Sequence, residues 1–428
     1  MNILFLHHNM PGQYKHLATT CAADSNNQVV FLTNPGKPDI PGVRKYEYAA
    51  NVQTTPELLR HLAGVNLVKF SRHIAASREV WQACKRMQQD GFAPDIIVGH
   101  LGWGNGLFLK DAFPNTPVLS YAEFYFLADD SAAAFLEAQV PSDNKRARTR
   151  MQNAALLYSL TDSDWCITPM FYQRDIHPKV FHPKISVLHE GIDTEDIAPD
   201  SDATYTLPNG KTLSGADEVV TYVSPVFEPH RGFPQFMAAA EIVLRERPHC
   251  HIVAVGMEHG KGYGAALLPG EKSCLQGMLE KVHLDRTRFH LVGPLPHPRM
   301  IKVMQISSAH VYLTVPFVLS WSVLEAMAAG CLIIGSDTAP VREVIRHEHN
   351  GLLVDFFSPE AIAQATIRAL DGREEMRPLR DNARRTVLDR YALNKVLPLH
   401  LSLMQDLIAG RVPPPTDSRI QAFHTTGM

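Results

Sequence analysis

Short apolar runs alternate with longer helix-forming stretches along nearly the whole chain, and this rhythm restricts the fold more than any single motif. Ile3 to Leu6, Val29 to Leu32, Ile96 to Val98, Val118 to Leu119 and Ile185 to Leu188 read as strands, separated by stretches such as Arg72 to Gln89 that favour helix. Strand and helix in alternation give a parallel sheet wrapped by helices. The rhythm breaks over Asp193 to Asp217, which is rich in Asp, Pro, Gly and Thr. It restarts with Val219 to Val223, His251 to Val255, Phe289 to Val292, Val311 to Thr314 and Leu332 to Ile334. The expected fold class is therefore α/β, with two Rossmann-like doubly wound domains facing each other. Open α/β sheets bind ligands at the carboxyl ends of their strands, so two such halves predict one deep cleft. The expected boundaries are residues 1–195 for the first domain, 196–217 for a linker and 218–393 for the second domain. Residues 394–428 are expected to form a helix and tail packing back toward the first domain, with poor order from Val412-Pro-Pro-Pro415 onward.

Charge and composition narrow the partners. The 41 basic and 44 acidic residues leave a net charge of -3, so no global field draws the chain to nucleic acid. The apolar run at Met1 to Leu6 stops at His7 and His8, too short for a signal peptide, and no segment approaches the roughly 18 apolar residues of a membrane span. The six cysteines are scattered without a CxxC pair, which reads as reduced, buried thiols in a cytoplasmic protein. His347-Glu-His349 reads either as a metal pair or as a solvated turn, and the following Asn350-Gly351 favours the turn. Asp162-Ser-Asp164 has the DxD form that metal-dependent transferases use, but it stands between a helical stretch and Trp165 to Thr168, a context that argues against that role.

The strongest local signal is Val315-Pro-Phe-Val-Leu-Ser-Trp-Ser-Val-Leu-Glu-Ala-Met-Ala-Ala-Gly330, an apolar strand running into a helix of strong helix formers. The first turn of such a helix presents free amides. Those from Ser320 through Trp321, Ser322 and Val323 to Leu324, with the two serine hydroxyls, suit a diphosphate. Glu325, one turn further on, can accept two hydrogen bonds from a ribose diol. Ser322 and Glu325 also have the S-x-x-E spacing of a capping box, so the same residues admit a purely structural reading. In Glu228-Pro-His-Arg-Gly-Phe233, after the first strand of the second half, the Arg231 guanidinium can form paired bonds to phosphate or stand as an ordinary surface arginine.

Weaker signals lie elsewhere. Gly12, in the loop after the first strand, lets backbone approach a ligand, although the dinucleotide fingerprint is absent. Gly260-Lys-Gly-Tyr-Gly264 is either a phosphate loop or a flexible connection. His100 ends a strand and opens His-Leu-Gly-Trp-Gly104, where an imidazole can bond a sugar, orient an acceptor hydroxyl or serve only structure. Lys145, Arg146, Arg148 and Arg150 cluster on a helix, which is either a solvated face or a contact for a lipid-linked acceptor.

Together these segments resemble glycosyltransferase family 4, the group 1 retaining transferases of the GT-B fold, over most of the chain. Val187-Leu-His-Glu-Gly-Ile-Asp193 is similar to the family's segment at the end of its first domain, and Gly335 to Val354 to the stretch after its signature. Pro11-Gly-Gln-Tyr14, His100-Leu-Gly-Trp-Gly104 and Tyr121-Ala-Glu-Phe-Tyr125 resemble one branch. The resemblance implies that Glu325 takes the ribose, Arg231 the diphosphate, His100 the sugar or acceptor, and the loop from Gly293 to Leu295 the base. Two positions depart from the family pattern. Phe317 stands where a glutamate eight residues before Glu325 touches the transferred sugar, and Pro225 replaces a second diphosphate-binding arginine.

The resulting expectation is a retaining, metal-independent hexosyltransferase that needs no cofactor beyond its co-substrate, a nucleotide-diphosphate sugar. Its acceptor would be a glycan, a lipid-linked glycan or a protein, with no nucleic-acid partner and with peripheral contact at the inner face of the membrane open. Two rivals stand beside it. One is a catalytically weak nucleotide-sugar-binding subunit of an active transferase; the other is an enzyme of the same fold that epimerises or phosphorolyses sugars.

Overall fold

The structure is a computed structural model that describes residues 1–49, 55, 57, 60, 61, 63, 67–129, 132–137, 140–260, 262 and 272–413. The chain divides into two compact units. The first comprises Met1–Ser131, Val140–Gly191 and Leu393–Met428; the second comprises Ala132–Gln139 and Ile192–Ala392.

In the first unit the strands are β1 (Asn2–Leu6), β2 (Gln28–Thr33), β3 (Val43–Glu47), β4 (Ile96–Gly99), β5 (Val118–Tyr121), β6 (Trp165–Thr168) and β7 (Ile185–Val187). Among the described residues they form a seven-stranded parallel sheet in the order β3-β2-β1-β4-β5-β6-β7. The central strands read as unbroken apolar runs because both faces are covered. Ile3, Phe5, Val29, Phe31 and Val98 point to one face, against Leu17 and Cys21 of the helix Lys15–Ala23 and Leu403, Met404 and Leu407 of the helix Leu393–Ile408. Leu4, Leu6, Val30, Leu32 and Ile97 point to the other, against Val80, Ala83, Cys84 and Met87 of the helix Val68–Gln89.

The second unit begins with a hairpin, β8 (Thr204–Thr206) and β9 (Thr212–Ser214), followed by β10 (Val219–Val226), β11 (His251–Met257), β12 (Phe289–Gly293), β13 (Ala309–Tyr312), β14 (Ile333–Ser336) and β15 (Leu352–Val354). The larger sheet is parallel in the order β12-β11-β10-β13-β14-β15. Both sheets therefore reverse direction beside their first strand, between β1 and β4 in one unit and between β10 and β13 in the other. That switch point, where neighbouring loops diverge to opposite faces, is where doubly wound sheets open a crevice.

Two expectations change here. Residues 196–217 are not a free linker: Ala203, Tyr205, Leu207 and Leu213 are buried against Val219, Val253 and Val303, so the hairpin is part of the second unit's core. Alternating apolar residues on either side of Pro208-Asn209-Gly210 were the missed signal, because Asn-Gly between such runs marks a hairpin turn. The helix Ala132–Glu137 belongs to the second unit although the chain around it builds the first. Phe135 packs on Phe357 with ring centroids 5.0 Å apart and on Phe356 at 5.3 Å.

The six cysteines are free thiols, with Cys274 half-buried and the other five buried. Among the described residues no helix is long and apolar enough to cross a membrane. The tail from residue 414 and most of the run from Gly260 to Gly264 lie outside the described residues.

Candidate functional site

The switch point of the second unit gathers the residues singled out around Arg231 and Glu325. β10 ends in the bulged segment at Pro225, where its register on β11 shifts between Val223 and Val226. A proline lacks the amide that a regular ladder requires, so it fits this exposed irregularity. The turn Pro229–Arg231 follows and closes on Gly232 in the left-handed region, with φ at 63°. A side chain at Gly232 would bring its Cβ to 2.5 Å from the Cβ of Leu313, so glycine is required by both conformation and space.

This turn carries Arg231 into the sheet end, where it is 5% exposed. Its Nη1 donates to Thr314 Oγ1 at 2.9 Å, to the Val318 carbonyl at 3.1 Å and to the Tyr312 hydroxyl at 3.4 Å. All three acceptors lie on β13 or the loop after it, the segment that leads into the helix Trp321–Ala328. The guanidinium is thus tied directly to the segment that enters the helix. Its surface-arginine reading is set aside by this burial.

The helix mouth is organised by Ser320. Its hydroxyl caps the Ser322 amide at 3.3 Å, its carbonyl accepts from the Val323 amide at 3.4 Å, and its own amide donates to the Tyr312 hydroxyl at 2.8 Å. The capping reading of Ser322 and Glu325 is therefore corrected: Ser320 is the cap, and Glu325 turns elsewhere. Its Oε1 bonds Nε2 of His297 at 2.7 Å. His297 opens the helix His297–Gln305, directly after the loop from Gly293 to Leu295, so that loop and Glu325 are neighbours through one histidine. Gly293, with φ at 69°, has open space around it, whereas Leu295 packs on the hairpin core. Val323 and Leu324 bury their side chains completely, Trp321 is 43% exposed, and Phe317 packs partly buried against the main core of this unit.

The first unit has its own cluster at the corresponding point, where the loops after β1 and β4 meet. His100 is 1% exposed, with its ring centroid 5.1 Å from those of both His7 and Tyr121. Its Nε2 lies 3.3 Å from Glu123 Oε2, and Gln13 Nε2 donates to the other carboxylate oxygen at 3.3 Å. Gly12 sits against His7 so closely that a Cβ would fall 2.6 Å from the imidazole, and its φ of 53° also demands glycine. Burial, then the neighbouring His100 and His8, push His7 down to about 2, so it is neutral at working pH. Tyr121 donates its hydroxyl to Glu190, which also faces His189 at 3.4 Å.

Residues of the other motifs have partners of their own. Asp164 accepts from the Val118 amide and from Lys110, both at 2.7 Å. Glu348 pairs with Arg368 at 2.8 Å and His347 accepts from the Leu353 amide at 2.9 Å, which makes that tripeptide a pinned turn. Lys145, Arg146, Arg148 and Arg150 lie on the helix Asp143–Asp162, with Arg146 paired to Asp129. Sequence reasoning missed His297, Tyr312, Thr314 and Glu123. His297 follows a Gly-Pro-Leu-Pro loop that was singled out, and this proximity was the available clue.

Comparison with known proteins agrees with this architecture. The model of the glycosyl transferase family 4 group matches residues 25–197, and that of glycosyl transferases group 1 matches residues 209–386. No curated protein matches in sequence. Among solved structures, a sucrose-phosphate synthase from Thermosynechococcus elongatus superposes with a TM-score of 0.71 at 18% identity, covering 96% of this chain and 100% of that one. Anabaena HepE in complex with UDP-glucose gives 0.65 at 12% identity, with 95% and 100% covered. A trehalose-6-phosphate synthase, OtsA, gives 0.63 at 12%, with 95% and 99% covered. At these identities the likeness speaks for the fold, which is GT-B.

Proposed function

We propose, from the premise that this chain belongs to the group 1 glycosyl transferases of family 4, that it moves a sugar from a nucleotide-diphosphate donor to an acceptor hydroxyl with retention. The observation that carries the reading is the direct tie between Arg231 and the loop entering the helix Trp321–Ala328. The long bonds to the Ser322 and Val323 amides, at 3.3 and 3.4 Å, are ones that a phosphate oxygen can replace. Glu325 is the carboxylate for the ribose diol, held by His297 until the donor arrives. In the reaction the bond from anomeric carbon to diphosphate oxygen breaks, and the acceptor oxygen bonds the same face. Its proton passes to the departing diphosphate. The protein's main task is then to stabilise charge growing on the leaving group, which Arg231 and the helix amides do without a metal. His100, steadied by Glu123, faces the sugar or acceptor from the first unit's cluster.

UDP-glucose is the first donor to try, since HepE is described in complex with it. Work in glycan or polysaccharide synthesis, with the protein in the cytoplasm or at the inner membrane face, is part of the proposal. The decisive experiment incubates purified protein with UDP, GDP, ADP and dTDP sugars, an acceptor mixture and a chelator, and follows product anomers by NMR. Transfer with retained configuration supports the reading, and inverted product refutes it.

A second reading rests on Phe317 and Pro225. Pro225 puts no cation at the bulge near the end of β10, and Phe317 puts a ring where a carboxylate is the family's habit, so a weakly active binding subunit is the competitor. Donor binding with neither transfer nor slow hydrolysis in the same panel favours that competitor.

A further inference from the structure

We propose that Tyr312 is a positioning residue that locks Arg231 and the mouth of the helix Trp321–Ala328 into one anion seat. The inference rests on the reading that these two elements hold the donor diphosphate. Tyr312 is the last residue of β13 and is 3% exposed. Its hydroxyl accepts the Ser320 amide at 2.8 Å, and Arg231 Nη1 approaches the same oxygen at 3.4 Å. One oxygen therefore touches both halves of the seat, the side chain arriving from β10 and the backbone leaving β13. Arg231 also donates to Thr314 and to Val318 O, and the Val315 amide donates to the His230 carbonyl at 3.0 Å; these ties hold the arginine turn upstream of the helix cap. The tyrosine contact reaches Ser320 itself, whose hydroxyl and carbonyl engage the first-turn amides.

Removing the hydroxyl leaves the Ser320 amide without that acceptor and lets the cap residue rotate. The phosphate-facing amides then lose their fixed relation to Arg231, while the surroundings of Glu325 and the base loop stay as they are. The expected defect is thus selective for the diphosphate, not general to the nucleotide.

The test is isothermal titration of the full chain, wild type and Tyr312→Phe, with the nucleoside diphosphate that binds best among UDP, GDP, ADP and dTDP, and with its monophosphate and nucleoside. The diphosphate Kd should rise roughly tenfold, the worth of one hydrogen bond in a charged site, with monophosphate and nucleoside changed less than about twofold. In an Arg231→Leu background the same substitution should have a much smaller effect, because a seat already broken has nothing left to align. Equal losses for all three ligands, or full additivity with Arg231→Leu, would overturn the assignment and make Tyr312 a general structural residue. A wild type that binds none of the four diphosphates, or an Arg231→Leu chain that binds them undiminished, would instead overturn the donor reading itself. Should Tyr312→Phe fail to fold, 3-fluorotyrosine at the same position keeps the shape and weakens the acceptor, and the same selective order of losses is expected.

Discussion

Gly232→Ala is the substitution whose outcome most directly probes how the site is held. The residue has φ at 63°, and an L-residue there costs about 1–2 kcal/mol. The added methyl would also meet the Leu313 Cβ at 2.5 Å and a Phe356 ring carbon at 3.1 Å. Leu313 follows β13 and its Cβ is fixed by backbone, so relief requires moving the turn that carries Arg231, and overpacking of this kind adds about 1–3 kcal/mol. Gly210, in the hairpin turn of the same unit, is the internal control: its φ is 87° but nothing lies within 4 Å of a Cβ. Gly210→Ala should therefore cost only the backbone component, about 1 kcal/mol. Hydrogen exchange of β10, β11 and β13 peptides across a urea series reads both losses in the unit concerned. The Gly232 variant should lose at least about 1 kcal/mol more than the control, and its diphosphate affinity should fall because Arg231 is displaced. Equal losses in the two variants would refute the claim that close packing against Leu313 sets the arginine's position.

Four further outcomes follow from the same geometry. Arg231→Lys keeps a charge but replaces a three-nitrogen planar group with a single ammonium, which cannot fill the place of Nη1 between Thr314 and Val318 and also offer a paired contact to phosphate, so nucleoside diphosphate affinity should fall about tenfold or more by calorimetry. Glu325→Gln should shrink the preference for UDP over 2′,3′-dideoxy-UDP roughly tenfold while leaving the dideoxy affinity nearly unchanged. Burial pushes His310 down to about 4, and it is held neutral against Thr221 at 2.9 Å. The unfolded chain takes up that proton near pH 6.5 and the folded one does not, so stability is full above about 6.5 and is lost as pH falls toward 4, by up to roughly 3 kcal/mol. His310→Gln should flatten that part of the stability profile. Phe135→Ala removes the ring stacked on Phe357 and should destabilise the second unit by about 1–2 kcal/mol in the same exchange assay, leaving first-unit peptides unaffected.

The alternation of apolar runs with helical stretches was enough to identify two doubly wound sheets, because strands buried on both faces have no polar face to blur the signal. β3 and β15 escaped for the opposite reason. Val43–Glu47 is an edge strand whose residues are half-exposed or exposed, and Leu352–Val354 is only three residues long. The helix Ala132–Glu137 was invisible as a member of the second unit, since nothing local in Ala-Ala-Ala-Phe-Leu-Glu states which core receives Phe135. Arg231 and Glu325 were legible through the segments around them. Their partners were not: Tyr312 lies 81 residues from Arg231, and His297 lies 28 from Glu325. Such pairings are set by which strands adjoin at the sheet's reversal, and spacing along the chain carries no trace of that.

The placement of Leu403, Met404 and Leu407 against β1 and β2 bears on how the molecule is made. During ribosomal synthesis, the residues of the earlier sheet emerge long before the helix that completes one of its faces, and all of Ile192–Ala392 is produced in between. Nascent chains must therefore wait with an apolar flank uncovered while the intervening body matures. A stop at residue 392 would strand that flank permanently, which makes chaperone dependence and proteolytic clearance the expected fate of such a fragment.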